Sequence, residues 1–279
     1  MIFARASRLA SEITGGARLT KVQERLLLPV VRGRDLSRWS VKPPLRLIYP
    51  YDAKARRLLS WRHITELWPA LASYLQANRK TLERRRSLRG GVWYSLVEPR
   101  FAAVGTDRPR CLISELALWP TASIPDPTSS AILGGAGGGS WLVFPDDTYD
   151  VYSVVAYLNS VFVFWLLQDL APVRQGGWLV LEQSTLGVLL IPEFLSDSDS
   201  FARQEMSRIC KEIIGLVQSG SDPLASPSVR EKEARINSIV LQALGLSENE
   251  ARHVLTRATK AGFRRRVDAE LPQDFALDV

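Results

Sequence analysis

The sequence predicts an α+β protein, with mixed or antiparallel small sheets and packed helices in its first two-thirds and a small helical tail after them. Three observations carry this. Short runs rich in β-branched and aromatic residues alternate with segments of helical period up to residue 195. Pro- and Gly-rich breaks keep those segments short. Beyond Ser196–Ser200, where Ser and Asp alternate, apolar residues recur only at helical spacing. Residues 1–195 are therefore expected to form one domain and residues 196–279 a helical extension with a frayed C-terminus.

Taken in order, Met1–Arg8 is half apolar and half basic, and Lys21–Val31 reads as a short helix leading into a turn at Gly33-Arg34-Asp35-Leu36. Arg46–Tyr51 has the composition of a strand. Ile64, Leu67, Trp68, Leu71, Leu75 and Leu82 recur at helical spacing, which places Arg79, Lys80, Glu83, Arg84 and Arg86 mostly on the wet face. Val92–Leu96 and Arg110–Leu118 read as strands, Pro120–Ser140 as a long loop, and Ser140–Pro145 as a further strand. The glycines of Gly134–Gly139 match neither phosphate-binding pattern and read as a flexible loop. Between Asp150 and Asp169 lie 18 uncharged residues; with Asn159-Ser160 near the middle and acids at both ends, a buried helix explains them better than a membrane span. Trp178–Leu181 and Gly187–Pro192 read as short strands. In the tail, Phe201–Val217, Val229–Leu244 and a segment after Gly245 read as helices, the last opened by a Ser247-to-Glu250 capping box. Residues after Arg264-Arg265-Arg266 are polar and expected to fray.

Charge is unevenly distributed. Residues 1–110 hold 23 Lys and Arg against 8 Asp and Glu, whereas the remainder holds 13 bases against 21 acids. Nineteen of the first 23 bases are arginine, whose planar fork matches phosphate oxygens and guanine edges. A surface that neutralises phosphates has this composition, and so has an ordinary solvated basic face. Chemistry of other kinds finds little support. With two cysteines and two histidines far apart, no zinc-site spacing can be drawn, and lone cysteines suit a cytoplasmic location. Neither His63 nor His253 lies in the setting of a nucleophile's base, and the acids of the basic half are scattered. Pro43-Pro44 is flanked by Lys42 and Leu45, without the Asn and Tyr that hold a flipped adenine in Asn-Pro-Pro-Tyr methyltransferases. No glycine-rich turn for S-adenosylmethionine follows a strand, so no cofactor is expected in this chain and no catalysis by it alone.

Several local patterns converge on one family. Leu26-Leu27-Leu28-Pro29-Val30-Val31-Arg32-Gly33-Arg34-Asp35-Leu36, then Tyr74-Leu75, Leu82-Glu83-Arg84-Arg85, Trp93-Tyr94 and Pro99-Arg100, resemble the TaqI-like C-terminal specificity domain of adenine-specific DNA methyltransferases. Leu158-Asn159-Ser160 and Leu189-Leu190-Ile191-Pro192 are similar to the end of such domains and also to target-recognition domains of type I specificity subunits, and Ala243–Ser247 to the helical extension often found after them. The resemblance implies a target-recognition domain that grips double-stranded DNA and positions a catalytic domain or subunit, which would carry the S-adenosylmethionine. The chain begins inside what would be the domain's first strands, which suggests a split gene, a truncated frame or a separate specificity subunit.

Candidate contacts follow from residue type. Arg79, Arg84, Arg85 and Arg86 are expected to track phosphates, Arg32, Arg34 and Arg38 to contact backbone or guanine, and the loop after Arg100 to join base readout. Trp93 and Tyr94 are candidates for base or sugar contact and equally for core aromatics. Asn159 and Ser160 read as structural. The competing functional expectation is a non-catalytic protein-interaction or RNA-binding subunit whose apolar helix and tail dock onto a partner.

Overall fold

The computed structural model of the chain describes residues 3–5, 27–31, 35–41, 45–52, 54–85, 91–96, 99, 110–125, 132–133, 139–143, 148–223 and 225–260. The described strands are β1 (Phe3–Arg5), β2 (Leu27–Val31), β3 (Leu36–Ser37), β4 (Ser40–Val41), β5 (Leu45–Ile48), β6 (Tyr51–Asp52), β7 (Arg57–Leu58), β8 (Arg110–Ser114), β9 (Leu116–Ala117), β10 (Ala122–Ser123), β11 (Ile132–Leu133), β12 (Gly139–Val143), β13 (Val173–Arg174) and β14 (Trp178–Val180). The described helices are α1 (Trp61–Leu67), α2 (Pro69–Ala77), α3 (Arg79–Glu83), α4 (Val151–Leu158), α5 (Val161–Leu170), α6 (Gln183–Gly187), α7 (Phe201–Gln218), α8 (Pro227–Ala243) and α9 (Glu248–Lys260). The chain is α+β, with small sheets of mostly antiparallel pairing.

Two compact units form, each from several stretches of chain: unit 1 from residues 1–31, 42–107 and 126–134, unit 2 from residues 32–41, 108–125 and 135–279. In unit 1 a four-stranded sheet runs β1-β5-β2-β11, antiparallel except for the β2–β11 pair. Neighbouring residues of a strand face opposite ways. Ile48, opposite Leu27, therefore joins the core beneath Ile64, Trp68, Leu71, Leu75 and Leu82, while Leu47 joins Val30, Tyr49 and Tyr51 in a separate one.

In unit 2, α4 is buried on nearly every side and packs against α7, while α5 packs against α9. One continuous core joins Val154, Tyr157 and Phe164 to Met206, Ile213, Val240 and Val254. The boundary expected at residue 195 thus falls inside unit 2. The apolar stripe Met206, Ile209, Cys210, Ile213 and Val217 of α7 has to be covered, and α4 supplies the cover.

The 150–169 segment is two helices, not one, bent by 62° between them. Ser160 caps α5 by accepting from the Val163 amide, and the Asn159 side chain pairs with both the amide and the carbonyl of Ala122, at 2.8 and 2.9 Å. Both residues are structural, as read from the sequence. No single helix among the described residues is long and apolar enough to cross a membrane.

Other elements also differ from expectation. The helical run after Ile64 is three helices, because the residue before Pro69 is disfavoured from helical geometry and Asn78 turns its side chain back to the Tyr74 carbonyl. Leu27–Val31 is a strand rather than the end of a helix. Val92–Leu96 forms turns, because Arg85 takes the carbonyls of Trp93 and Ser95 that a ladder would need. The 120–140 stretch contains β10 and β11. Gly187–Pro192 is no buried strand: Val188, Leu190 and Ile191 are exposed, and the Leu190 carbonyl accepts from the Tyr157 hydroxyl. The tail helices and the Ser247–Glu250 capping box form as expected.

Candidate nucleic-acid interface

The candidate interface lies in unit 1, on α1–α3 and the turns beside them. Ser60 caps α1 by accepting from the His63 amide at 3.2 Å, and Pro69 opens α2, where a missing N–H costs nothing. Burial of Ile64, Trp68, Leu71, Ala72, Leu75 and Leu82 fixes the inner face. The outer face carries Arg62, Glu66, Arg79, Lys80, Glu83 and Arg84, all exposed. Arg62 pairs with Glu66 and Arg79 with Glu83, both at 2.7 Å and one helical turn apart. Lys80 and Arg84 have no carboxylate partner among the described residues.

A second basic site is the β6–β7 turn. The Asp52 carboxylate accepts from the amides of Lys54 and Ala55, each at 3.0 Å, and these backbone bonds hold its pKa below the ordinary value. Arg56 adopts φ 51°, a left-handed conformation that closes the turn. Lys54, Arg56 and Arg57 are exposed. Seven exposed cations therefore face two exposed carboxylates, Glu66 and Glu83, among the described residues of this unit.

Arg85 plays a different part from its neighbours. Its guanidinium donates to the carbonyls of Leu82 (2.8 Å), Trp93 (2.6 Å) and Ser95 (3.0 Å) and so pins the 93–95 turn to the end of α3. Burial lowers its pKa, opposed by Tyr51. The same turn is held by Tyr51, whose hydroxyl accepts from the Leu96 amide at 2.7 Å and donates to the Leu96 carbonyl at 3.2 Å. Tyr49 donates to the Pro99 carbonyl at 2.9 Å.

Trp93 and Tyr94 are thereby set against Trp61, with ring centroids 4.9 and 5.3 Å from it. Tyr94 is buried and its hydroxyl donates to the Leu59 carbonyl, so it is a core residue rather than a base contact. Trp93 and Trp61 are half-buried, and the Arg79 guanidinium lies over Trp93 at 5.3 Å.

Arg38 is the clearest departure from the expected set. It belongs to unit 2, is 7% exposed, and donates to Glu233 through Nε and Nη2 (2.9 and 2.7 Å), to the Asn159 carbonyl and to the Pro120 carbonyl. Trp39 donates to the same Glu233 oxygen at 2.6 Å. With every edge of its guanidinium engaged internally, Arg38 is a structural residue. Arg79, Arg84, Arg85 and Trp93 lie together in unit 1; Arg32, Arg34, Arg86 and Arg100 lie outside the described residues. Sequence reasoning passed over Lys54, Arg56, Arg57 and Arg62, although three bases within four residues beside Asp52 mark an exposed basic turn.

Among the described residues no group of three or more His, Cys, Asp or Glu is placed to hold a metal ion. Cys111 and Cys210 are buried and unpaired, and burial pushes the Cys111 thiol up to about 12, far from a reactive thiolate. No protein-family model matches the chain, and no curated protein matches it in sequence.

Proposed function

We propose that this chain recognises double-stranded DNA as the specificity module of an adenine-specific DNA methyltransferase or restriction-modification system. Methyl transfer, with its S-adenosylmethionine, belongs in this reading to a catalytic domain or subunit that the module positions. The observation that carries the reading is the surplus of exposed cations in unit 1, at the β6–β7 turn and along α1–α3. Cations so placed release counterions from the DNA backbone, which gives affinity without sequence information.

The test is fluorescence anisotropy of the full chain with mixed-sequence duplex DNA across a salt series, repeated with Lys80→Ala/Arg84→Ala. Steep weakening with salt, and a slope shallower by about two in the double variant, is the expected result. Absence of binding at low salt from folded protein overturns the reading. A protein-interaction role is favoured separately by exposed apolar residues of unit 2, with Val173 60%, Val188 60% and Leu190 75% exposed. In the methyltransferase reading these residues serve the catalytic partner.

A further inference from the structure

We infer that Trp93 and the Arg79 guanidinium laid over it form a stacking shelf for an unpaired nucleobase, with Lys80 and Arg84 beside it for the adjoining phosphates. The inference rests on the reading of unit 1 as a nucleic-acid-binding surface and adds to it a site for a base that has left the duplex.

Four observations support it. First, the Arg79 cation is fixed from two sides, by the Glu83 carboxylate at 2.7 Å and by the Trp93 ring at 5.3 Å, and its side chain nevertheless remains 48% exposed. A planar guanidinium held over an indole continues a π-stack, and its open side accepts another flat ring. Second, Trp93 is not free to swing: Trp61 leans on it at 54°, and Arg85 fixes its backbone carbonyl at 2.6 Å. A rigid platform loses little conformational entropy when a base stacks on it. Third, Val92, the residue that precedes Trp93, is 45% exposed, so apolar surface is open to solvent in the same turn. Fourth, Lys80 on the same short helix as Arg79 and Arg84 at its C-cap are exposed and have no carboxylate partner among the described residues, so they can neutralise the phosphates that accompany the base. Aromatic shelf and unpaired cations together match the chemistry of an unstacked nucleotide, whereas phosphate tracking alone would need no tryptophan.

The experiment compares binding of the full chain to a twelve-residue oligothymidylate and to a twelve-base-pair duplex, by anisotropy at one fixed low salt concentration. Wild type, Trp93→Leu and Trp93→Phe are used, with thermal melting to confirm that each is folded. Trp93→Leu should weaken oligothymidylate binding about tenfold and duplex binding less than about twofold, and Trp93→Phe should keep most of the single-strand affinity. Quenching of tryptophan fluorescence by oligothymidylate should shrink in both variants. Equal losses on both probes, no loss on either, or no oligothymidylate binding by wild type overturns the shelf. The duplex reading is scored separately: wild type that binds duplex with a steep salt slope but ignores oligothymidylate loses only the shelf. Should Trp93→Leu be unfolded, Trp93→Phe and the quenching amplitude decide, since a shelf that stacks bases gives quenching in wild type and an aromatic replacement that retains affinity.

Discussion

At the scale of single residues, exposure separates arginines that composition makes look alike. Lys80 and Arg84 were legible as surface cations because helical period alone places them opposite Leu82. Arg38 was not legible, because what buries it is Glu233, 195 positions away in sequence, and no local pattern encodes that pairing. Its role leads to a prediction that separates it from the surface set. Arg38→Ala leaves the Glu233 carboxylate, 13% exposed, with only the Trp39 indole as a donor among the described residues, and it strands the Asn159 and Pro120 carbonyls. Removing one partner of a buried ion pair costs about 3–5 kcal/mol. Urea denaturation should show a loss of that order, at an unchanged dependence on denaturant, while the salt slope of any DNA binding at temperatures where the variant is folded stays as in wild type. A variant of full stability with a shallower slope would return Arg38 to the interface.

At the scale of elements, the sequence marked where helices and strands lie better than where they stop. Long amphipathic stretches such as Phe201–Gln218 are read correctly because their stripe repeats over many turns. Breaks went unseen where a side chain competes for backbone: Asn159 with Ala122, Asn78 with Tyr74, Arg85 with Trp93 and Ser95. Residues 94, 96 and 99 show how side chains stand in for a ladder: the Tyr94 hydroxyl donates to the Leu59 carbonyl, and the Tyr51 and Tyr49 hydroxyls donate to the carbonyls of Leu96 and Pro99. Burial raises the pKa of all three hydroxyls, of Tyr49 to about 12, with Tyr51 adding to the shift at Tyr49. The folded chain therefore holds these protons more tightly than the unfolded chain, whose tyrosines ionise near pH 10. This contribution to stability is fully present below about pH 10 and is lost as pH rises towards about 12. Urea melts at increasing pH should show that decline, and Tyr49→Phe should make it shallower; a decline unchanged in Tyr49→Phe would place its origin with the other buried hydroxyls and thiols, Tyr51, Tyr94, Tyr157, Cys111 and Cys210.

At the scale of the whole molecule, each unit is assembled from stretches far apart in sequence, and this changes what a domain boundary means here. The chain enters unit 2 at residue 32, leaves it at 42, and returns at 108 and 135. The β3–β4 hairpin is fastened into unit 2 by Arg38 and Trp39 on Glu233, by the Trp39 amide on the Ala122 carbonyl, and by Ser123 Oγ on the Ser37 carbonyl. The composition shift at Ser196–Ser200 is therefore a surface connection between α6 and α7 and not a seam. A chain ending at residue 195 would keep α4 and lose the helix it packs against, baring Val154, Val155 and Tyr157, which are at most 1% exposed. It would also lose Glu233 and Asn237, the latter accepting from the Val161 amide at 2.9 Å. Burying a large aliphatic side chain is worth about 1.5–3 kcal/mol, so loss of the shared core exceeds the 5–15 kcal/mol that stabilises a typical protein. Residues 1–195 expressed alone should aggregate or lack a cooperative thermal transition, whereas the same cut made in the folded full chain should leave both pieces associated. A soluble 1–195 fragment with a sharp melt would restore the boundary that the sequence suggests and would refute the shared core.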